Sequence, residues 1–236
     1  MIGAAALGGY AFLVEPRWLE LTRHRIHLTG LPAALERLRI ALLTDLHAGA
    51  GTPLSLVRRA CRMAMSTDPH LIALTGDFAA DDASGFRTVL DALSLLRAPL
   101  GVYAVPGNHD HLVGIDRFRR QVGDHPIIRD LTNRSHTLTV GDARLCVAGV
   151  DDFSSGDPRM EILPPPEERD CTLLLAHDPN QAERARRFCD QVDLVLSGHT
   201  HGGQVRLPGI GALRNPAHGD DLYDEGLRRR PWTQVY

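Results

Sequence analysis

The stretch RIALLTD, residues 39–45, sets a short apolar run between a basic residue and a Thr-Asp pair. A run this short, bounded by turn signals, reads as a strand buried on both faces. PLSLVRRACRMAM (residues 53–65) follows as an amphipathic helix opened by Pro53, and HLIALTGD (residues 70–77) as a second strand. Strand, helix and strand make a βαβ unit, which commits the first half of the chain to an α/β sheet with short crossovers. SGFRTVLDALSLLR (residues 84–97) continues the rhythm as a helix and GVYAVPGN (residues 101–108) as a strand.

The middle of the chain changes character. SHTLTVGDARLCVAGV (residues 135–150) reads as two alternating strands joined at Gly141-Asp142, hence an antiparallel hairpin. CTLLLAHDP (171–179), NQAERARRFCD (180–190) and QVDLVLSGHT (191–200) restore strand, helix and strand, and a loop-rich tail ends in the strand-like WTQVY. No repeat, low-complexity tract or linker divides the chain, and 236 residues suffice for one substantial core.

Composition narrows the function. Hydrophobic content of 43% and charged content of 23% are ordinary globular values. A net charge of -3 gives no electrostatic case for nucleic acid, and no nucleic-acid partner is expected. All 26 basic residues are arginines, which excludes Schiff-base and P-loop lysine chemistry. Cys61, Cys146, Cys171 and Cys189 lie far apart in sequence and are expected to be buried free thiols. The opening MIGAAALGGYAFLV (residues 1–14) is apolar but shorter than the ~20 residues that span a bilayer, and no basic region leads it. It reads either as a cut-down signal or anchor in peripheral contact with a membrane, or as a segment packed on the domain, with a cytoplasmic location as the alternative.

Five strand ends share one property. TDLH (Asp45, His47), TGD (Asp77), PGNHD (Asn108, His109, Asp110), LAHDP (His177) and SGHTH (His199, His201) each end in metal-capable or proton-transferring side chains beside small residues. Ligands of open α/β sheets bind at the carboxyl ends of strands, so these five ends can converge on one pocket. Two divalent cations roughly 3.5–4 Å apart need a bridging carboxylate plus N and O ligands, with positions left open for water and substrate. Carboxylate, imidazole and amide oxygen suit Mn, Fe or Zn, with Mg less favoured, and no cysteine stands near these motifs. Each motif alone has a bland reading as a cap, turn or core histidine; five in succession, each after a strand, favour a site.

The series D-x-H, GD, GNHD, H and GHxH resembles the calcineurin-like metallophosphoesterase superfamily. The longer stretches LRIALLTDLHAG, AGVDD and LSGHTHGGQVRLPGIGAL are similar to its bacterial YkuE/YaeI-like phosphodiesterase branch. The resemblance implies a four-layer α/β (α+β) fold, two facing mixed β-sheets flanked by helices, over residues 15–236. It implies Asp45, His47 and His201 on one metal ion, Asp77 bridging, and Asn108, His177 and His199 on the other. His109 is then expected to donate a proton to the leaving oxygen, with Asp110 orienting its ring, and a metal-bridging hydroxide to attack. The implied activity is that of a phosphodiesterase or pyrophosphate-bond hydrolase acting on a small-molecule, envelope or lipid-linked substrate. A soluble nucleotide phosphodiesterase and a non-catalytic binding module are the alternatives. Two departures stand out: GDFAADDAS lacks the arginine that protein serine/threonine phosphatases carry after this aspartate, and the chain stops at Tyr236 where similar sequences continue, an expected C-terminal truncation.

Overall fold

A computed structural model describes residues 17–49, 52–80, 83–187, 192–203, 206–207, 211–212 and 223–236. The apolar opening segment, Cys189 and the end of the helix expected over 180–190 lie outside the described residues.

The first sheet holds β1 (Ile40–Leu43), β2 (Leu71–Leu74), β3 (Val102–Ala104) and β4 (Ile128–Asp130), in that order and all parallel. The crossovers are α1 (Leu54–Met65), α2 (Ala83–Leu93) and α3 (Asn108–Gly123). The second sheet is mixed. It is built from β5 (Arg134–Val140), β6 (Ala143–Gly149), β7 (Cys171–Leu175), β8 (Leu194–Leu196), β11 (Arg228–Arg230) and β12 (Thr233–Val235), in the order β11-β12-β8-β7-β6-β5. β6, β7, β8 and β12 run parallel, and the outer pairs β5/β6 and β11/β12 antiparallel. Helix α4 (Gln181–Ala185) links β7 to the strand beside it, and β9 (Arg206–Leu207) pairs with β10 (Gly211–Ala212) as a small ribbon.

Side chains alternate across a strand, and the fully buried strands use both faces. Leu71, Ala73 and Tyr103 of the first sheet meet Leu145, Val147, Leu173, Leu175, Leu194 and Leu196 of the second in a core between the sheets. The opposite faces, Ile72, Leu74, Val102 and Ala104, pack under Val57, Cys61, Phe86, Val89, Leu93, Phe118 and Val122 of the three helices. Beyond the second sheet, Cys146, Ala148, Leu174 and Val195 are covered by Met160, Ala182, Ala185 and Tyr223. The order is therefore helices, sheet, sheet, helix and loops. Burial of each large aliphatic chain in these layers stabilises the fold by about 1.5–3 kcal/mol relative to exposure.

Cys61, Cys146 and Cys171 are buried and free, with burial pushing their thiols up to about 11, 11 and 12. Among the described residues no helix is long and apolar enough to cross a membrane. Two elements escape the periodicity of the sequence: β4 is three residues long, and α3 begins inside the polar PGNHDH string.

Candidate metal centre

The carboxyl ends of β1, β2, β3, β7 and β8 are locked together by backbone hydrogen bonds that run past the strands. Asp45 N donates to Gly76 O (3.1 Å), His47 N to Asp77 O (2.9 Å), Val105 N to Leu74 O (3.0 Å) and Gly198 N to His177 O (2.9 Å). These bonds act within each sheet; His199 N donating to Asp45 Oδ2 (2.9 Å) and His177 Nδ1 to Thr75 O (2.7 Å) join the two sheets, so that the five motifs meet at one edge of the sandwich. Asp45, His47, Asp77, His199 and His201 hold φ between 40° and 68°, a left-handed region that non-glycine residues seldom occupy. Such strain persists only where surrounding structure holds it, and it concentrates at functional sites.

Glycine makes the close approach possible. A Cβ on Gly107 would stand 2.7 Å from Asp77 N and 2.8 Å from His177 Cε1, and one on Gly198 would overlap Thr44 Oγ1 and Asp45 Oδ2.

The side chains form two groups that share Asp77. In the first, His47 Nε2 lies 3.2 Å from His201 Nε2, and His201 Nε2 lies 3.3 Å from Asp45 Oδ1. In the second, His177 Nε2 is 3.1 Å from Asn108 Oδ1 and 3.1 Å from His199 Nδ1. Asp77 Oδ2 stands between them, 3.4 Å from His47 Nε2 and 3.3 Å from His177 Nε2. Donors that share one cation at about 2.0–2.2 Å are separated by roughly 3.0 Å across an octahedral edge and roughly 3.4 Å across a tetrahedral one. His47 Nε2 and Asp45 Oδ1, 4.0 Å apart, stand wider than either edge, and His109 gathers with His47 and Asp77 as a third set; the donor types suit divalent cations, with Asp77 common to more than one set.

His177 is fully buried, and its Nδ1 donates to Thr75 O (2.7 Å), which turns Nε2 toward Asp77. A backbone acceptor on the far ring nitrogen fixes the tautomer of a ligating histidine. Asp77, His177 and His199 are buried, whereas the side chains of His47 and His201 keep 18% and 31% of their exposure. Among the described residues, His47 and His201 are thus the more solvent-accessible members of the site.

Electrostatics follow from this crowding. Burial works to raise the Asp45 carboxyl, yet the hydrogen bond from His201 and the charges of His177 and His201 hold it far below its ordinary range. Burial likewise opposes ionisation of Asp77, and His177 overcomes it, so the net shift is down. Burial would lower His177, but its bond to Asp77 carries it up to about 10. His201 is raised by its hydrogen bond to Asp45, while burial lowers His47 and His199. The two carboxylates thus favour positive charge beside them, which a bound cation would supply.

His109 sits beside both groups. Its ring packs edge-on to that of His47, centroids 4.7 Å apart, and its Nδ1 donates to Ala80 O at 2.8 Å. Its backbone N donates to Asp77 Oδ1 (2.9 Å). The expectation that Asp110 orients this ring is corrected here. The Asp110 carboxylate accepts from the backbone N of Asp77 (2.8 Å), Phe78 (3.1 Å) and Gly107 (2.9 Å), tying the β2 loop to the β3 loop. Burial pushes its pKa up to about 7. The ring is held instead by Ala80 O, a backbone group that no residue pattern announces.

The calcineurin-like phosphoesterase family matches residues 38–203. YkuE of Bacillus subtilis, an uncharacterized metallophosphoesterase, is 31% identical over 100% of this chain and 86% of its own length. The phosphodiesterase YaeI of Escherichia coli is 35% identical over 97% of this chain and 83% of its own. Among solved structures, the NAD nucleotidase NadN of Haemophilus influenzae matches with a TM-score of 0.53 at 13% identity, over 84% of this chain and 44% of that one, a likeness of fold alone.

Proposed function

Because the chain belongs to the calcineurin-like phosphoesterase family and is a metal-dependent phosphoesterase, we propose that it hydrolyses phosphodiester or pyrophosphate bonds at the edge of its two sheets. The observation that carries the reading is Asp77 Oδ2, placed 3.4 Å and 3.3 Å from imidazoles of two separate donor groups. Asp45, His47 and His201 would hold one divalent ion, Asn108, His177 and His199 the other, and Asp77 both. When bound, two such ions supply Lewis-acid charge for a phosphoryl oxygen and a water acidic enough to ionise near neutral pH.

The remaining work falls to the protein. The Nδ1–H of His109 is committed to Ala80 O, so its Nε2 is the atom that passes a proton to the departing oxygen. Asp110 keeps Asp77 and the His109 turn in register from below. Burial of His177 and His199 keeps water from one side, and the more exposed His47 and His201 admit the substrate from the other. A diester is favoured over a monoester because Phe78, Ala79 and Ala80 follow Asp77 where an arginine would be needed for the extra charge of a monoester dianion. The likeness to YaeI, named a phosphodiesterase, supports the same choice. The apolar residues 1–14 support a lipid-linked or envelope substrate, met through peripheral membrane contact.

Metal-stripped protein is assayed on bis(p-nitrophenyl) phosphate and p-nitrophenyl phosphate with Mn, Zn, Fe(II) or Mg restored in turn. Diester cleavage that returns with metal and outpaces monoester cleavage is expected. Folded protein inert with every metal would overturn the reading in favour of a non-catalytic binding module. Turnover of nucleotide diesters that does not respond to detergent or lipid would replace the lipid-linked substrate with a soluble one.

A further inference from the structure

Helix α3 is not one rod. Gly114 has φ 121° and ψ 102°, so the arm that carries Asn108 and His109 is uncoupled from the arm over residues 115–123. The second arm is anchored in the core through Phe118 and Val122. The first arm buries only the polar Asp110, and its Leu112 is 77% exposed, so apolar packing does not set its direction.

Both arms are tied to one carboxylate of the second sheet. Asp151 follows β6, is 3% exposed, and accepts from His111 Nε2 at 2.7 Å through Oδ1. Its Oδ2 lies 3.5 Å from Arg119 Nη2, on the other arm. The carboxylate is itself fixed, since backbone N of Asp152 (2.9 Å) and of Asp157 (3.3 Å) donate to it, and Asp151 N donates to Asn133 Oδ1 (3.1 Å). A Cβ on Gly156 would stand 2.5 Å from Asp151 Cγ, so the absence of one lets this loop close over the acid. Asp110 ties the first arm to the first sheet; His111 ties the same turn to the second sheet, the one that bears His177 and His199.

We infer that Asp151 is a positioning residue which, through His111 and Arg119, fixes the angle of the Asn108–His109 turn against the donors of the second sheet. The inference rests on the reading of Asn108 as a ligand and His109 as the proton donor. Loss of the tie would weaken the ion held by Asn108, His177 and His199 and misplace His109, while the Asp45, His47 and His201 group, on other loops, keeps its geometry. Residues that orient metal ligands typically contribute 10–100-fold to affinity or activity.

The test measures Mn²⁺ stoichiometry and affinity by equilibrium dialysis, and kcat and KM on bis(p-nitrophenyl) phosphate, for wild type, Asp151→Ala, Asp151→Asn and His111→Ala. Asp151→Ala and His111→Ala are expected to bind one ion normally and the second at least 10-fold more weakly, with kcat down at least 10-fold and KM within about twofold. Asp151→Asn keeps an acceptor for His111 and should recover most of the loss. A part in general stability alone would lower the melting temperature without splitting the two ions. If Asp151→Ala does not fold, His111→Ala decides, because the loop bonds of Asp151 survive in it. Two ions of wild-type affinity and unchanged kcat in His111→Ala overturn the inference and leave the functional reading standing; wild type that binds no Mn²⁺ overturns both.

Discussion

Gly107→Ala isolates the steric demand of the centre from its chemistry. The residue has φ -110° and ψ -179°, ordinary extended backbone, so alanine adds no conformational strain. Its Cβ would stand 2.7 Å from Asp77 N and 2.8 Å from His177 Cε1. It would also overlap Asp77 Oδ1 outright. Comfortable contact needs about 3.4 Å or more, so Asp77 N and His177 must yield by roughly 0.6 Å and the Asp77 carboxylate by more, well beyond the ~0.2 Å tolerance of a metal–ligand distance. Overpacking of this kind costs about 1–3 kcal/mol, equivalent to roughly 2–12 °C in melting temperature for a chain of this size. The effect on turnover should be larger, about 10²-fold, because Asp77 and His177 both face the shared position. Differential scanning calorimetry, metal analysis and diester hydrolysis on the same preparation separate the two. A variant that binds two ions and retains wild-type kcat would refute the claim that glycine is needed here for clearance.

Asp77→Asn should lose at least about 10³-fold in kcat and fall below two bound ions by elemental analysis, since one oxygen faces both donor groups; normal activity would sink the bridging assignment. His109→Ala should keep its metal content, since His109 stands outside the seven residues assigned as ligands, yet lose roughly 10²-fold in turnover; a loss under threefold would reject the proton-donor role. Chelation of the loaded protein should lower the melting temperature by about 5–10 °C for each ion held at about 100 times its Kd, hence roughly 10–20 °C for two, and an unchanged transition would argue against ions at these donors.

Much of this was legible in the chain because the strands are short, apolar and followed at once by their functional residues. RIALLTD and HLIALTGD announce β1 and β2, and Gly141-Asp142 announces the hairpin, since Val140 and Ala143 pair across it. The convergence of the five motifs was legible for the same reason: each candidate residue lies within two to six positions of the end of a strand, and parallel strands bring those ends together. What stayed hidden is made of contacts that residue types do not encode. The polar string PGNHDH gives no apolar period, so the start of α3 was invisible. The partner of His109 is a carbonyl, and that of His111 is Asp151, 40 positions away on the other sheet. The resemblance implied Asp110 as the partner of the His109 ring, yet its side chain turns inward to three backbone N–H groups.

The left-handed backbone at Asp45, His47, Asp77, His199 and His201 bears on how such a centre can be lost over generations. A position with φ near 40–68° admits glycine, asparagine and aspartate readily and penalises β-branched or bulky residues. Drift away from catalysis is therefore channelled: the mutations that spare the fold replace these donors with asparagine or glycine, while Val or Ile would break the loops as well as the chemistry. Descendants that have abandoned hydrolysis but kept the scaffold should carry that narrow spectrum of substitutions at these five sites, an imprint readable from sequence alone.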